Sequence, residues 1–270
     1  MKKLSAAILF SLLAAGAWAA DIPYGSNPAA GAYHEIRGFR MYCEEYGSGP
    51  AVLMIHGNGG DMTAFRKTAP YFSAKYHVIL ADSRSQGRSA DPSHGINFEM
   101  MADDFAALLD VLHVKAAYVI GFSDGGINAL ELAMRHPDKV LAVASTGANL
   151  WPGEDAFADG LWAGMDADYK RQLGMPRTTE KEKNDWKMSV LDHNEPHISL
   201  ADLHKISCPV LVICGDHDMI SVTHTVLIYK NIPRANLWVV PNSGHATLLE
   251  HPGDFNREVD AFFRTPFKVR

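Results

Sequence analysis

Between an apolar run, Ala117 to Ile120, and a helix-like stretch, Asn128 to His136, the chain reads Gly121-Phe122-Ser123-Asp124-Gly125-Gly126. A strand that turns directly into a helix forces the corner residue into a strained backbone conformation, and only small neighbours let the two elements approach that closely. Gly121 and Gly125 are such neighbours. The corner serine then presents its Oγ at the positive end of a helix, with the Asp124 backbone N–H aimed where an oxyanion would develop. Glycine and serine are common enough for Gly-x-Ser-x-Gly to occur by chance. The strand before it and the helix after it give this one chemical meaning.

The same strand and helix rhythm runs through most of the chain. Ala32 to Ile36 and Arg40 to Glu45 flank Arg37-Gly38-Phe39 and predict an edge hairpin. Pro50 to Ile55, Tyr76 to Ala81, Val140 to Ser145, Pro209 to Cys214 and Leu237 to Val240 are short apolar runs, the pattern of strands buried on both faces. Asn97 reads as a helix cap, followed at helical spacing by Phe98, Met101, Phe105, Leu108, Leu109 and Leu112. The fold class expected is therefore α/β, a mostly parallel, doubly wound sheet with helices on both faces. Sites in such sheets lie beyond the C-terminal ends of the strands. The glycine-rich turn His56-Gly57-Asn58-Gly59-Gly60, Ser123, the Asp216 to Asp218 segment and His245 all fall at such ends. The backbone N–H of Asn58 is a second potential oxyanion donor. Asp82 to Ser89 reads as a turn whose Asp and Arg side chains tie down backbone rather than bind substrate.

Residues 149–205 break the rhythm. They carry no strand pattern but many large apolar groups, among them Trp151, Trp162, Tyr169, Trp186 and Met188, and Thr179 with Glu182 resembles a capping box. The expectation is a small helical cap at 149–205, inserted in a core made of 20–148 and 206–270. His193 and His197 stand four apart, but Pro196 between them disrupts helical geometry, so no metal site is expected there.

With 270 residues the chain fits one domain of this class, and a formal charge of −6 argues against nucleic acid or an anionic membrane surface as partner. Residues 1–19 form a separate unit: Lys2-Lys3, an apolar run to about Ala17, then Ala17-Trp18-Ala19 in the small-x-small pattern of a signal peptide. The apolar run is shorter than the ~20 residues that span a bilayer. The mature protein is thus expected in the periplasm or secreted, with no membrane anchor. Its three cysteines are expected to be buried thiols, although Cys43 could pair with one of the other two; Cys208 and Cys214 bracket one strand and cannot pair with each other. They would stand roughly 20 Å apart at ~3.3 Å per residue, against the ~6 Å that a bridge requires.

A serine hydroxyl becomes a nucleophile when a histidine takes its proton, and a carboxylate fixes that histidine's tautomer and stabilises its charge. In chain order the candidates are Ser123, then Asp216 or Asp218, then His245. That order, Ser then acid then His, resembles the α/β-hydrolase fold serine hydrolases, in the manner of their capped esterases, enol-lactonases and haloperoxidase-like members. The resemblance runs from about Gly49 to Phe263, leaving the cap aside. It rests on His56-Gly57-Asn58, Asp82-x-Arg84, Gly121-x-Ser123-x-Gly125-Gly126, Gly215-x-x-Asp218 and Gly244-His245. It implies Ser123 as nucleophile, His245 as general base and acid, and Asp218 as the residue orienting His245. The acid in such proteins stands three residues after the glycine and before an apolar pair, here Met219-Ile220. The resemblance also implies an oxyanion hole of the Asn58 and Asp124 backbone N–H groups, and no cofactor. Ser85 departs from the pattern, which often has glycine in the Asp-x-Arg-Gly turn.

The expected activity is hydrolysis of a small or medium carboxylic ester or lactone through an acyl-enzyme. A carbon–carbon bond hydrolase, a perhydrolase and a non-catalytic binding protein of the same fold are the alternatives.

Overall fold

The computed structural model describes residues 22–93 and 95–265. The expected leader at 1–19 lies outside them. Strands β1 (Gly31–Ile36), β2 (Phe39–Tyr46), β3 (Ala51–Ile55) and β4 (His77–Ala81) surround one short helix, α1 (Ala69–Ser73). Helix α2 (Phe98–Val111) leads to β5 (Ala117–Phe122), α3 (Asp124–Arg135) and β6 (Val140–Thr146). Between β6 and the next strand lie α4 (Leu161–Gln172), α5 (Glu180–Asn194) and α6 (Leu200–Leu203). The chain closes with β7 (Val210–Gly215), α7 (Val222–Asn231), β8 (Ala235–Val240), α8 (Thr247–Glu250) and α9 (Pro252–Arg264).

The eight strands form one sheet in the order β1-β2-β4-β3-β5-β6-β7-β8. Only the β1–β2 and β2–β4 pairs are antiparallel. The hairpin therefore supplies the edge through β1 alone, and β2 is paired on both sides. Side chains along β3 alternate between two cores. Ala51, Leu53 and Ile55 join Phe105, Leu109 and Leu130 on one face. Val52 and Met54 join Phe72, Phe255 and Phe263 on the other. Two buried faces explain why the central strands read as continuous apolar runs.

Helix α3 begins at Asp124, a full turn before the stretch that looks helical in sequence. Gly125 and Gly126 have low helix propensity and conceal this first turn. They are there because a Cβ on Gly125 would lie 1.9 Å from the Ile55 carbonyl oxygen, and one on Gly126 would lie 2.9 Å from Ser145 Oγ. Asn97 caps α2 through its side chain, and Thr179 with Glu182 forms a capping box at α5. Cys43, Cys208 and Cys214 are free and buried, and burial pushes the Cys43 thiol up to about 12.

The helices between β6 and β7 are held together differently from the rest. None of the residues of α4 is buried. Trp162 and Tyr169 stack on the two faces of the His193 ring, at 5.1 and 3.7 Å between centroids. Tyr169 also stacks on Trp186, which carries the Arg177 guanidinium at 3.8 Å. Planar groups stacked in a row thus add to a small apolar cluster in which Trp162 and Met165 pack on Ala156, Phe157 and Ile220.

Candidate active site

Ser123 sits between β5 and α3 with φ 56° and ψ −121°, a conformation rare outside glycine. The corner is over-determined. The Ser123 amide donates to the Thr146 carbonyl at 2.8 Å, and the Ser123 carbonyl accepts from Gly126 N at 2.7 Å and Ile127 N at 3.1 Å. A Cβ on Gly121 would come 2.1 Å from the Gly125 carbonyl oxygen, so strand and helix touch backbone to backbone. The Ser123 side chain makes no capping bond to the helix, which leaves Oγ free to face outward.

His245 lies beyond β8, with Nε2 3.0 Å from Ser123 Oγ and Nδ1 2.6 Å from Asp218 Oδ1. Asp218 is fully buried and also accepts from Ile220 N at 3.0 Å and Gly215 N at 3.3 Å. An ionised carboxylate only accepts, so Nδ1 carries the ring proton and Nε2 is left to accept from the serine hydroxyl. The Phe122 ring, 5.2 Å away, flanks the imidazole. So does Gly147, where a Cβ would lie 2.6 Å from His245 Cε1. Residues 122 positions apart in the chain thus stand in a line along which a proton can pass.

Asp216 is not part of that line. Its exposed carboxylate accepts from Asn242 N and Ser243 N, both at 3.0 Å, and from His217 Nδ1 at 2.8 Å. Those bonds hold it down to about 2. Asp216 fastens the turn that leads to His245, and Asp218 reaches the ring.

The His56 turn packs directly on the serine: a Cβ on Gly57 would approach Ser123 Cβ to 2.9 Å. His56 is buried and neutral, its Nδ1 donating to the Gly57 carbonyl at 2.8 Å and its Nε2 accepting from Ser83 N at 2.9 Å. It fixes the turn and takes no place beside Ser123 Oγ. Among the described residues, neither the Asn58 nor the Asp124 backbone N–H has a protein acceptor. Two amides without partners on either side of a serine can receive a developing oxyanion. Asp82 and Arg84 hold the adjacent turn. Asp82 accepts from Met62 N and Arg88 N. Arg84 pairs with the side chains of Asp104 and Asp91, so it ties down more than neighbouring backbone.

Two groups here have no sequence signature. The Asn58 side chain donates to Asp124 Oδ2 at 2.9 Å and to the Met188 carbonyl on α5 at 3.4 Å, joining the turn, α3 and the helical insertion. Asp192, one helical turn beyond Met188, is within electrostatic reach of both Asp124 and His245. Burial raises the Asp124 carboxyl well above the ordinary carboxylate range and the Asp192 charge adds to the rise, while the Asn58 amide opposes it. A carboxyl raised in the native state adds stability only below its unfolded value, and that stability is lost as pH climbs towards the native value. Asp124→Asn therefore gains on the parent between pH 5 and pH 8. Thermal scans at both should show the difference widening by a few degrees, at about 2–4 °C per kcal/mol for a domain of this size. A constant difference would mean that Asp124 is ionised throughout.

A cavity of about 510 Å³ lies between α5 and the loop residues Asp91, Pro92, Ser93, Gly95 and Ile96, and one of about 180 Å³ lies between α4 and α5. Neither is lined by Ser123 or His245.

Residues 50–174 match a family model described as alpha/beta hydrolase fold. The uncharacterized hydrolase YraK of Bacillus subtilis is 36% identical over 108 residues, 39% of this chain and 40% of that protein. 3-Oxoadipate enol-lactonase 2 of Acinetobacter baylyi is 26% identical over 245 residues, covering 80% of this chain and 89% of that one. Among solved structures, Est816, described as an N-acyl homoserine lactone degrading enzyme, superimposes with a TM-score of 0.71 at 26% identity, over 86% of this chain and all of the other. Sheet order, the strand-to-helix corner and these likenesses agree: the chain is an enzyme of α/β-hydrolase fold.

Proposed function

We propose that the protein hydrolyses a carboxylic ester or lactone of small to medium size through an acyl-enzyme on Ser123. The observation that carries this reading is the pair of contacts made by His245, 3.0 Å to Ser123 Oγ and 2.6 Å to Asp218 Oδ1. Ser123 Oγ attacks the substrate carbonyl carbon as its proton passes to His245 Nε2. Asp218 holds the imidazole in place and stabilises the resulting charge. The carbonyl oxygen becomes an oxyanion that accepts from the Asn58 and Asp124 N–H groups. Collapse breaks the bond to the alkoxy oxygen, which takes the proton from His245 and leaves as alcohol, or as the free hydroxyl end of an opened lactone. Water, deprotonated by His245, then attacks the acyl carbon, and the acid departs as Ser123 recovers its proton.

In this reading residues 149–205 act as a cap over the site, and residues 1–19 direct the protein to the periplasm or beyond. Support for export is the leader's sequence pattern. The test is labelling with a fluorophosphonate probe, followed by peptide mapping, beside a panel of aryl esters of graded acyl length and simple lactones. Label is expected on Ser123 alone, with Ser123→Ala blank in both assays. A folded parent that neither labels nor turns over any member of the panel would overturn the proposal.

A further inference from the structure

Ser85 stands in the turn between β4 and α2 with φ 64°, a left-handed conformation that glycine adopts without steric cost and serine does not. The residue is buried, and all of its polar atoms are engaged. Its amide donates to the Ser89 carbonyl at 2.9 Å. Its Oγ donates to Asp91 Oδ2 at 3.2 Å and accepts from Lys187 Nζ at 3.0 Å. Its carbonyl accepts from the Asn184 side-chain amide. Asn184 and Lys187 lie three apart on α5 and therefore share a face. Lys187 Nζ also donates to the Asp91 carbonyl at 3.1 Å, and its side chain is only 11% exposed. Asp91 is itself held by Arg84 Nη1 at 3.2 Å and by Ser93 N at 3.1 Å.

We infer that Ser85 is a positioning residue, a latch that fixes α5 against the core and so holds the Met188 carbonyl where it meets the Asn58 side chain. The strained backbone points Oγ and the carbonyl at the same helix. A glycine would make the turn without strain but would lose the Lys187 contact. From the latch the helix carries the restraint one residue further, to Met188, and through Asn58 to the turn that flanks Ser123. Both the roof over the serine and the Asn58 amide depend on where α5 lies. The effect on substrate rests on the hydrolase reading above, whereas the effect on α5 does not.

Ser85→Gly separates the latch from ordinary turn formation, because it relieves strain while removing Oγ. We expect a thermal midpoint no lower than the parent's. Amide hydrogen exchange should nevertheless accelerate in residues 180–194, and KM for an aryl ester should rise about three- to ten-fold, as for loss of one ordinary hydrogen bond. The kcat should stay within about two-fold. Lys187→Met should accelerate exchange in the same residues, by at least as much because it also removes the bond to the Asp91 carbonyl, and the double variant should add little to Lys187→Met, in which the Ser85 Oγ contact is already lost. Ser85→Asn, which tolerates a left-handed backbone and keeps an acceptor for Lys187 Nζ, should restore the parent KM and exchange. Unchanged exchange in 180–194 in both Ser85→Gly and Lys187→Met would overturn the latch. Faster exchange with unchanged KM would overturn its positioning role. If the parent neither labels nor turns over ester, the exchange measurements still decide the latch and the failure belongs to the hydrolase reading.

Discussion

Changing Asp218 to asparagine is expected to lower kcat for an aryl ester on the order of 10⁴-fold, while Asp216→Asn leaves it within about two-fold. The two residues are neighbours but one, so the contrast is a strict test of geometry. At position 218 an asparagine would offer an N–H to His245 Nδ1 and favour the tautomer with its proton on Nε2. That nitrogen could no longer accept from Ser123, and no negative charge would remain to stabilise an imidazolium. At position 216 the side chain contacts only the 242–243 turn and His217. Steady-state kinetics of both variants, with circular dichroism to confirm folding, decide the matter. Equal losses in the two would mean that the carboxylate beside His245 has no special part.

The second large effect concerns the scaffold. Gly125→Ala should destabilise the fold by on the order of 3 kcal/mol or more, roughly 10 °C in thermal midpoint, because the new methyl would sit 1.9 Å from the Ile55 carbonyl oxygen. Both parties are backbone, in the middle of the sheet and in the first turn of α3, so neither can swing aside. Any relief must move the Asp124 amide away from Ser123, and activity should fall with stability. Gly164→Ala is the matched control. It lies inside α4, where a Cβ would meet nothing within 4 Å, and it should stabilise by about 0.5–1 kcal/mol. Thermal denaturation of the two variants side by side measures the contrast. A mild effect at Gly125 would show that strand and helix can separate at the corner.

The sequence makes the central sheet and the serine corner legible for a common reason. Buried parallel strands must be apolar on both faces, and a corner without room for a Cβ must be glycine, so composition at those positions reports directly on packing. Ser123 and His245 stand at strand ends that the apolar runs themselves mark. The choice between Asp216 and Asp218 was not legible from spacing, since it depends on which carboxylate the chain turns inward after β7. Resemblance favoured Asp218, and the geometry places Asp218 against His245. Four helices, α1, α7, α8 and α9, have no residue range among the sequence expectations, although in α9 Phe255, Val259, Phe262 and Phe263 recur at helical spacing. Asp192 was invisible for another reason: α5 carries several acidic residues, and nothing local marks the one that faces inward. Ser85 was noticed only as a departure from a pattern, because a dihedral angle and a partner 102 positions away are not written in the residues around it.

Asp260, on α9, accepts from the hydroxyls of Tyr71 at 3.0 Å and Tyr76 at 2.8 Å and from Lys75 Nζ at 2.7 Å. Beside it Phe255, Val259 and Phe263 complete one of the two cores. A nascent chain therefore leaves the ribosome with that side of its sheet covered only in part, by residues such as Phe65 and Phe72, until α9 has been made. Whatever keeps the growing polypeptide from sticking to its neighbours must act until then.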